Sequence, residues 1–135
     1  MSLDLSVFEK VLNSLKTVVI RHNDNINDDV VRDSVIQRFE YTYSFVLKIL
    51  KRFLEQTSEE SEEIDHFTFN QLIRMANEKG LLLGNLENWT IFREKRNMTS
   101  HTYDEKKALE VISVMADFIS EVDFLLTRLK ERNAN

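Results

Sequence analysis

The sequence predicts an all-α fold: an up-and-down four-helix bundle with an additional short helix across one end, in a single domain over residues 1–135. Three observations predict it. There is no proline and there are only two glycines, Gly80 and Gly84, so the punctuation that short-strand folds require is almost missing. Apolar residues make up 42% of the chain, enough for a buried core, and they recur at three- and four-residue spacing along most of it. The polar residues between these stretches match helix caps.

Taken in order, Phe8, Val11, Leu12, Leu15, Val18 and Val19 define a first amphipathic helix from about Asp4 to Arg21, ended by the polar run Asn23, Asp24, Asn25. Asn27, Asp28 and Asp29 offer a cap and an acidic first turn for a second, long helix. Its apolar stripe runs through Val35, Phe39, Thr42, Val46, Ile49, Leu50 and Phe53. Ile36, Tyr43, Phe45 and Leu47 widen that stripe beyond what one neighbour can cover, so this helix is expected to be the central pillar. From Gln56 to His66, acidic residues and serines without an apolar period read as a solvated linker or a frayed helix end. Thr68 and Gln71 match a capping box, with Phe67 placed to staple onto Leu72, and predict a third helix from Phe69 to Lys79 stopped by Gly80.

A short fourth helix begins at Gly84 or Asn85, carries Leu86, Trp89, Ile91 and Phe92, and leads into Arg93 and Arg96. Trp89 is most simply a core residue. Thr102 and Glu105 match a second capping box and predict one long final helix with a near-heptad stripe of Leu109, Ile112, Met115, Ile119, Val122, Leu126 and Leu129.

The absence of cysteine excludes disulfide staples and thiolate chemistry and agrees with a cytoplasmic setting. No apolar run approaches the roughly 18 residues of a membrane span, and the start Met-Ser-Leu-Asp lacks the features of a signal peptide, so no membrane association is expected. His22 and His66 sit at element ends among polar residues, and no His or carboxylate has the spacing of a metal-binding helix, so neither a metal nor a cofactor is expected. The serines lack the strand and glycine context of a nucleophile. The formal charge of −5 argues against broad adhesion to nucleic acid. Locally the balance reverses: Phe92 to Lys107 holds five basic residues (Arg93, Lys95, Arg96, Lys106, Lys107) against three acidic ones (Glu94, Asp104, Glu105), a net +2.

That basic stretch contains the chemistry. On an unbroken helix Arg96 and His101 would lie about 140° apart, whereas a break between them lets both reach one surface. A helix starting at Thr102 leaves His101 just outside a positively polarised N-terminus, with Arg96 nearby. Together these form a site for a phosphate beside a group able to move a proton near neutral pH. Cleavage of a phosphodiester by an internal 2′-hydroxyl needs that pairing of anion clamp and proton carrier. Tyr103, on the first turn of the last helix, falls roughly 110° from the centre of its apolar stripe, which leaves the hydroxyl reachable. Asn97 lies between Arg96 and His101 in a position to support the site.

The spacing Arg96–X4–His101–X–Tyr103 resembles the Arg-X4-His-X-Tyr signature of HEPN domains, the helical partners of minimal nucleotidyltransferases in two-gene toxin–antitoxin modules. The second helix, around Arg32-Asp33 and Ile36-Gln37-Arg38-Phe39-Glu40-Tyr41, is similar to the corresponding segment of the HEPN subgroup of nucleotidyltransferase substrate-binding proteins. The resemblance implies a homodimer or higher homo-oligomer in which two Arg96/His101 pairs build a composite, metal-independent RNase site. It further implies a cognate minimal nucleotidyltransferase that silences the site by placing AMP on Tyr103. Asp33, Gln37, Glu40 and Ser44 form one polar face of the second helix, open to either solvent or a partner. Some members of the subgroup are regarded as non-catalytic subunits that bind nucleotide or substrate for the transferase, which gives a second functional reading.

Overall fold

A computed structural model describes residues 3–133; residues 1, 2, 134 and 135, part of the expected 1–135 domain and of the Met-Ser-Leu-Asp start, lie outside the described residues. Among the described residues every regular element is helical, and the expected bundle class holds. The elements are α1 (Ser6–Asp24), α2 (Asp29–Thr57), α3 (Ser61–Asp65), α4 (Phe69–Glu78), α5 (Leu86–Met98), a 3-10 turn (Thr99–His101), α6 (Glu105–Ile112) and α7 (Met115–Asn133).

The pillar is α2, which packs against α1, α3, α4, α5 and α6. Its start is set by Asp28, whose carboxylate accepts from the backbone N–H groups of Val30 at 3.0 Å and Val31 at 3.3 Å. α1 runs antiparallel to it. Phe8 meets Phe45 with ring centroids 5.7 Å apart, while one end further on Ser14 bonds Tyr41 at 2.7 Å and its carbonyl accepts from Arg38 at 2.8 Å. α1 also runs antiparallel to α7, through Glu9 with Lys130 and Lys16 with Asp123.

At the centre Phe118 is wholly buried and is met edge-on by Phe39 at 4.9 Å, Phe92 at 5.3 Å and Trp89 at 6.5 Å, with Tyr43 tilted against it at 6.5 Å. One residue of α7 thereby joins α2 to α5, a packing in which each aromatic pair adds about 0.5–1.5 kcal/mol beyond area burial. Trp89 is in the core, as its sequence context suggested.

Where the caps were read correctly, the helices fall as expected. Thr68 and Gln71 make the reciprocal capping box of α4, and Gly80 takes the left-handed φ of +75° that stops it. The start of the fourth helix, left open between Gly84 and Asn85, is decided by Asn85, which caps α5 with Asn88 returning the bond.

Three expectations need correction. The acidic stretch is not merely a linker, because Ile64, the one aliphatic residue within it, is fully buried and anchors the short helix α3. α1 begins at Ser6 because the Asp4 carboxylate accepts from the Ser6 N–H and hydroxyl outside the helix, and it continues past Arg21 to Asp24. The final helix is two helices, broken at Ser113 and Val114. The near-heptad stripe fails only before the break, where Leu109 is exposed while Ala108 and Val111 face the core; beyond it Met115, Val122, Leu126 and Leu129 are buried as expected. The break allows α6 to pack on α2 and α5 and α7 to pack on α1, which one straight helix could not combine.

Candidate functional site

The segment that follows α5 is shaped by two threonines. Thr99 Oγ1 donates to the Arg96 carbonyl at 2.7 Å and accepts from Arg96 Nη1 at 3.3 Å, so a single hydroxyl ties both ends of that arginine to the helix end. Thr102 Oγ1 donates to the Thr99 carbonyl at 3.2 Å and closes the 3-10 turn that carries His101.

This overturns the second capping box. With its hydroxyl turned back to Thr99, Thr102 does not cap a helix. Asp104 does so instead, accepting from the Lys106 N–H at 3.0 Å. The α-helix therefore begins two residues later than expected. His101 belongs to the turn that closes α5, Tyr103 lies between turn and helix, and the polarised end of α6 is already covered by a carboxylate. The positive potential of the site comes from arginine side chains.

The break between Arg96 and His101 is present, as a tightening from α5 into the 3-10 turn. His101 is exposed, and its ring stands 6.2 Å from that of Tyr103 at 75°. Tyr103 is 87% exposed and borders a cleft of about 370 Å³ with Ile26, Asn27, Asp29, Arg32, Glu105 and Leu109. Within the chain, Arg96 and His101 do not bond each other. Arg96 instead reaches α2, where Nη2 lies 3.8 Å from Glu40 Oε1.

Of the polar face on α2, only Glu40 joins the site. Asp33 accepts from the neighbouring Arg32 at 3.3 Å, Gln37 is exposed, and Ser44 is half-buried. Asn97 is exposed, and its carbonyl accepts from Ser100 Oγ at 3.4 Å.

Of the other histidines, His66 is exposed at the end of α3, as its context suggested, and His22 departs from expectation. His22 is buried in the last turn of α1, its Nε2 without a hydrogen-bond partner, against a cavity of about 130 Å³ at the α6–α7 break. Among the described residues no cluster of three His, Asp or Glu side chains could hold a metal, and no helix is long and apolar enough to cross a membrane.

The sequence reading missed Glu121. It is buried in α7 and accepts from the N–H groups of Leu83 at 3.0 Å and Gly84 at 2.5 Å and from Trp89 Nε1 at 3.0 Å. Burial pushes its carboxyl above the usual range, against the three N–H groups that favour the charge. A Cβ on Gly84 would stand 2.4 Å from Glu121 Oε1, so glycine is required for this close approach. A signal existed: Glu121 lies three residues after Phe118 and four before Leu125, on the buried face.

Comparison with known proteins agrees with this fold. Residues 3–131 match the family described as nucleotidyltransferase substrate binding protein like. The chain is 35% identical over 139 residues to the probable ribonuclease HepT of Haemophilus influenzae, covering 97% of this chain and 94% of that protein. A solved Haemophilus influenzae structure, described as revealing the fold of a substrate binding domain of a nucleotidyltransferase, superposes with a TM-score of 0.87. Its identity is 34%, over 94% of this chain and 99% of the other. A Thermus thermophilus crystal structure gives a TM-score of 0.70 at 31% identity, over 90% and 98%.

Proposed function

This chain belongs to the nucleotidyltransferase substrate binding protein like family, and on that basis we propose that it is a HEPN-type toxin of a two-gene toxin–antitoxin module, a metal-independent endoribonuclease controlled by a minimal nucleotidyltransferase. The observation that carries this reading is the exposure of His101 and Tyr103 beside the half-buried Arg96, at the spacing of the HEPN signature. The likeness to a probable ribonuclease over almost the whole chain supports it.

In the proposed reaction two copies pair so that their Arg96 and His101 side chains share one RNA strand. One imidazole takes the proton of a 2′-hydroxyl, whose oxygen attacks the adjacent phosphorus. The P–O5′ bond breaks, and the second imidazole gives a proton to the leaving 5′-oxygen. A 2′,3′-cyclic phosphate and a 5′-hydroxyl result. Arg96 balances the charge that grows on the phosphoryl oxygens. The nucleotidyltransferase silences the site by transferring AMP from ATP to the Tyr103 hydroxyl, with release of pyrophosphate. The added phosphate then competes for the arginines and obstructs His101.

Purified protein incubated with single-stranded RNA and a metal chelator is expected to give cyclic-phosphate ends. Intact RNA at concentrations where the protein is folded would rule the reading out. The family description favours a second reading, a non-catalytic subunit that binds nucleotide or substrate for the transferase. It predicts measurable nucleotide affinity without cleavage, which a calorimetric titration checks.

A further inference from the structure

Away from the Arg96 face, α1 and α2 enclose a groove of about 280 Å³, lined by Thr17 and Arg21 of α1 and by Val30, Val31, Ser34 and Arg38 of α2. Thr17 and Arg21 lie one turn apart, as do Ser34 and Arg38, so two short stripes face each other across the antiparallel pair. Both cations lack carboxylate partners. Among the described residues neither Arg21 nor Arg38 forms an ion pair, and no acidic residue lines the groove. Arg38 is half-buried and fixed, donating Nη1 to the Ser14 carbonyl at 2.8 Å while its other N–H groups have no partner among the described residues. Arg21 is exposed and makes no hydrogen bond among them. The acids that flank the groove in sequence face elsewhere. Asp28 caps α2 through the Val30 and Val31 N–H groups, Asp33 pairs with Arg32, Asp29 borders the cleft at Tyr103, and Asp24 forms no ion pair with Arg21.

Two unpaired guanidinium groups on one groove with no carboxylate fit a phosphate, because each supplies charge together with forked N–H donors. Ser34 adds a hydroxyl without a partner among the described residues, whereas Thr17 Oγ1 already donates to the Asn13 carbonyl at 2.8 Å and only closes the wall. Beside these groups Val30, 74% exposed, and Val31 form an apolar ledge that a phosphate alone would leave uncovered and a nucleobase would cover. The volume falls near the small end of ligand clefts, and the acids around the α1–α2 turn repel a long polyanion, so a small phosphate ester fits better than an RNA strand. We propose that this groove binds a mononucleotide, with Arg21, Arg38 and Ser34 on its phosphate and Val30 and Val31 under its base. The inference does not rest on the nuclease reading. Arg38 reaches α1, whereas Glu40, two residues on, meets Arg96 of α5, so the groove and the Arg96 face lie on different sides of α2.

The test titrates the full chain calorimetrically, at low ionic strength, with AMP, adenosine and inorganic phosphate. AMP is expected to bind at least about tenfold more tightly than adenosine, which lacks the charge-assisted bonds, and more tightly than inorganic phosphate, which lacks the base. Arg21→Gln is expected to weaken AMP binding about tenfold with an unchanged melting temperature, since the side chain is exposed and unpaired. Arg38 is left in place because it also ties α2 to α1 through the Ser14 carbonyl. Arg96→Gln, on the other side of α2, is expected to leave AMP affinity unchanged. Equal affinity in wild type and Arg21→Gln overturns the proposal, as does absence of AMP binding by the wild type or an equally large loss in Arg96→Gln. Inorganic phosphate binding as tightly as AMP overturns the nucleotide assignment. Single-stranded RNA that binds through Arg21 where AMP does not overturns it in favour of a strand. A wild type that binds AMP through Arg21 but leaves RNA intact keeps the groove and sinks the nuclease reading.

Discussion

At Glu121 both oxygens of a buried carboxylate are occupied by three N–H donors, and glycine is needed to bring the backbone close enough. On the Arg96 face the polar groups are loosely partnered: Arg96 is 3.8 Å from Glu40, and His101 and Tyr103 point into solvent. Both regions pack on Phe118 through α5, so they share a scaffold and differ in how completely their hydrogen bonds are satisfied. A saturated buried charge fixes architecture, because any change leaves groups unpaired. An open cationic surface has bonding capacity left for a ligand.

Substitutions can sharpen that contrast. His101→Ala is expected to lower RNA cleavage by at least about a hundredfold while leaving the melting temperature unchanged, as measured by cleavage rates and a thermal scan. Glu121→Ala is expected to do the reverse. It strands the Trp89 and backbone donors, destabilises the fold by about 3 kcal/mol and lowers the melting temperature by roughly 10 °C, with cleavage per folded molecule retained.

A pH scan separates the Tyr43 phenol from both. Burial keeps the Tyr43 proton in the folded chain up to about 12 against the ordinary value of 10.0. Its contribution to stability is therefore fully present below the ordinary value and is lost as pH rises through about 12. Denaturant midpoints measured across that window are expected to fall less steeply in Tyr43→Phe. Glu40→Gln, at a half-exposed pair, is expected to change stability by no more than a few tenths of a kcal/mol.

How much of this was legible follows from which signals are local. The Thr68–Gln71 box and the Gly80 stop are short-range chemistry, and each marks its helix end where the structure has it. The Thr102–Glu105 box fits the same pattern and does not form, because the Thr102 hydroxyl has a nearer acceptor in the Thr99 carbonyl. The break at Ser113 was invisible to periodicity, since only the positions of α1, α2 and α5 decide which face of the last helices must turn inward. The sequence placed Arg96, His101 and Tyr103 on one segment, but the Glu40 contact depends on α2 packing against α5.

The most direct measurement of the central claim follows one preparation through both activities. The chain is co-expressed with its nucleotidyltransferase, AMP on Tyr103 is quantified by mass spectrometry, and cleavage of a single RNA is assayed on the same sample. The account predicts that cleavage falls in proportion to the fraction of Tyr103 modified and that Tyr103→Phe escapes silencing. Fully adenylylated protein that cleaves at the unmodified rate, or AMP found at some other residue, would contradict it.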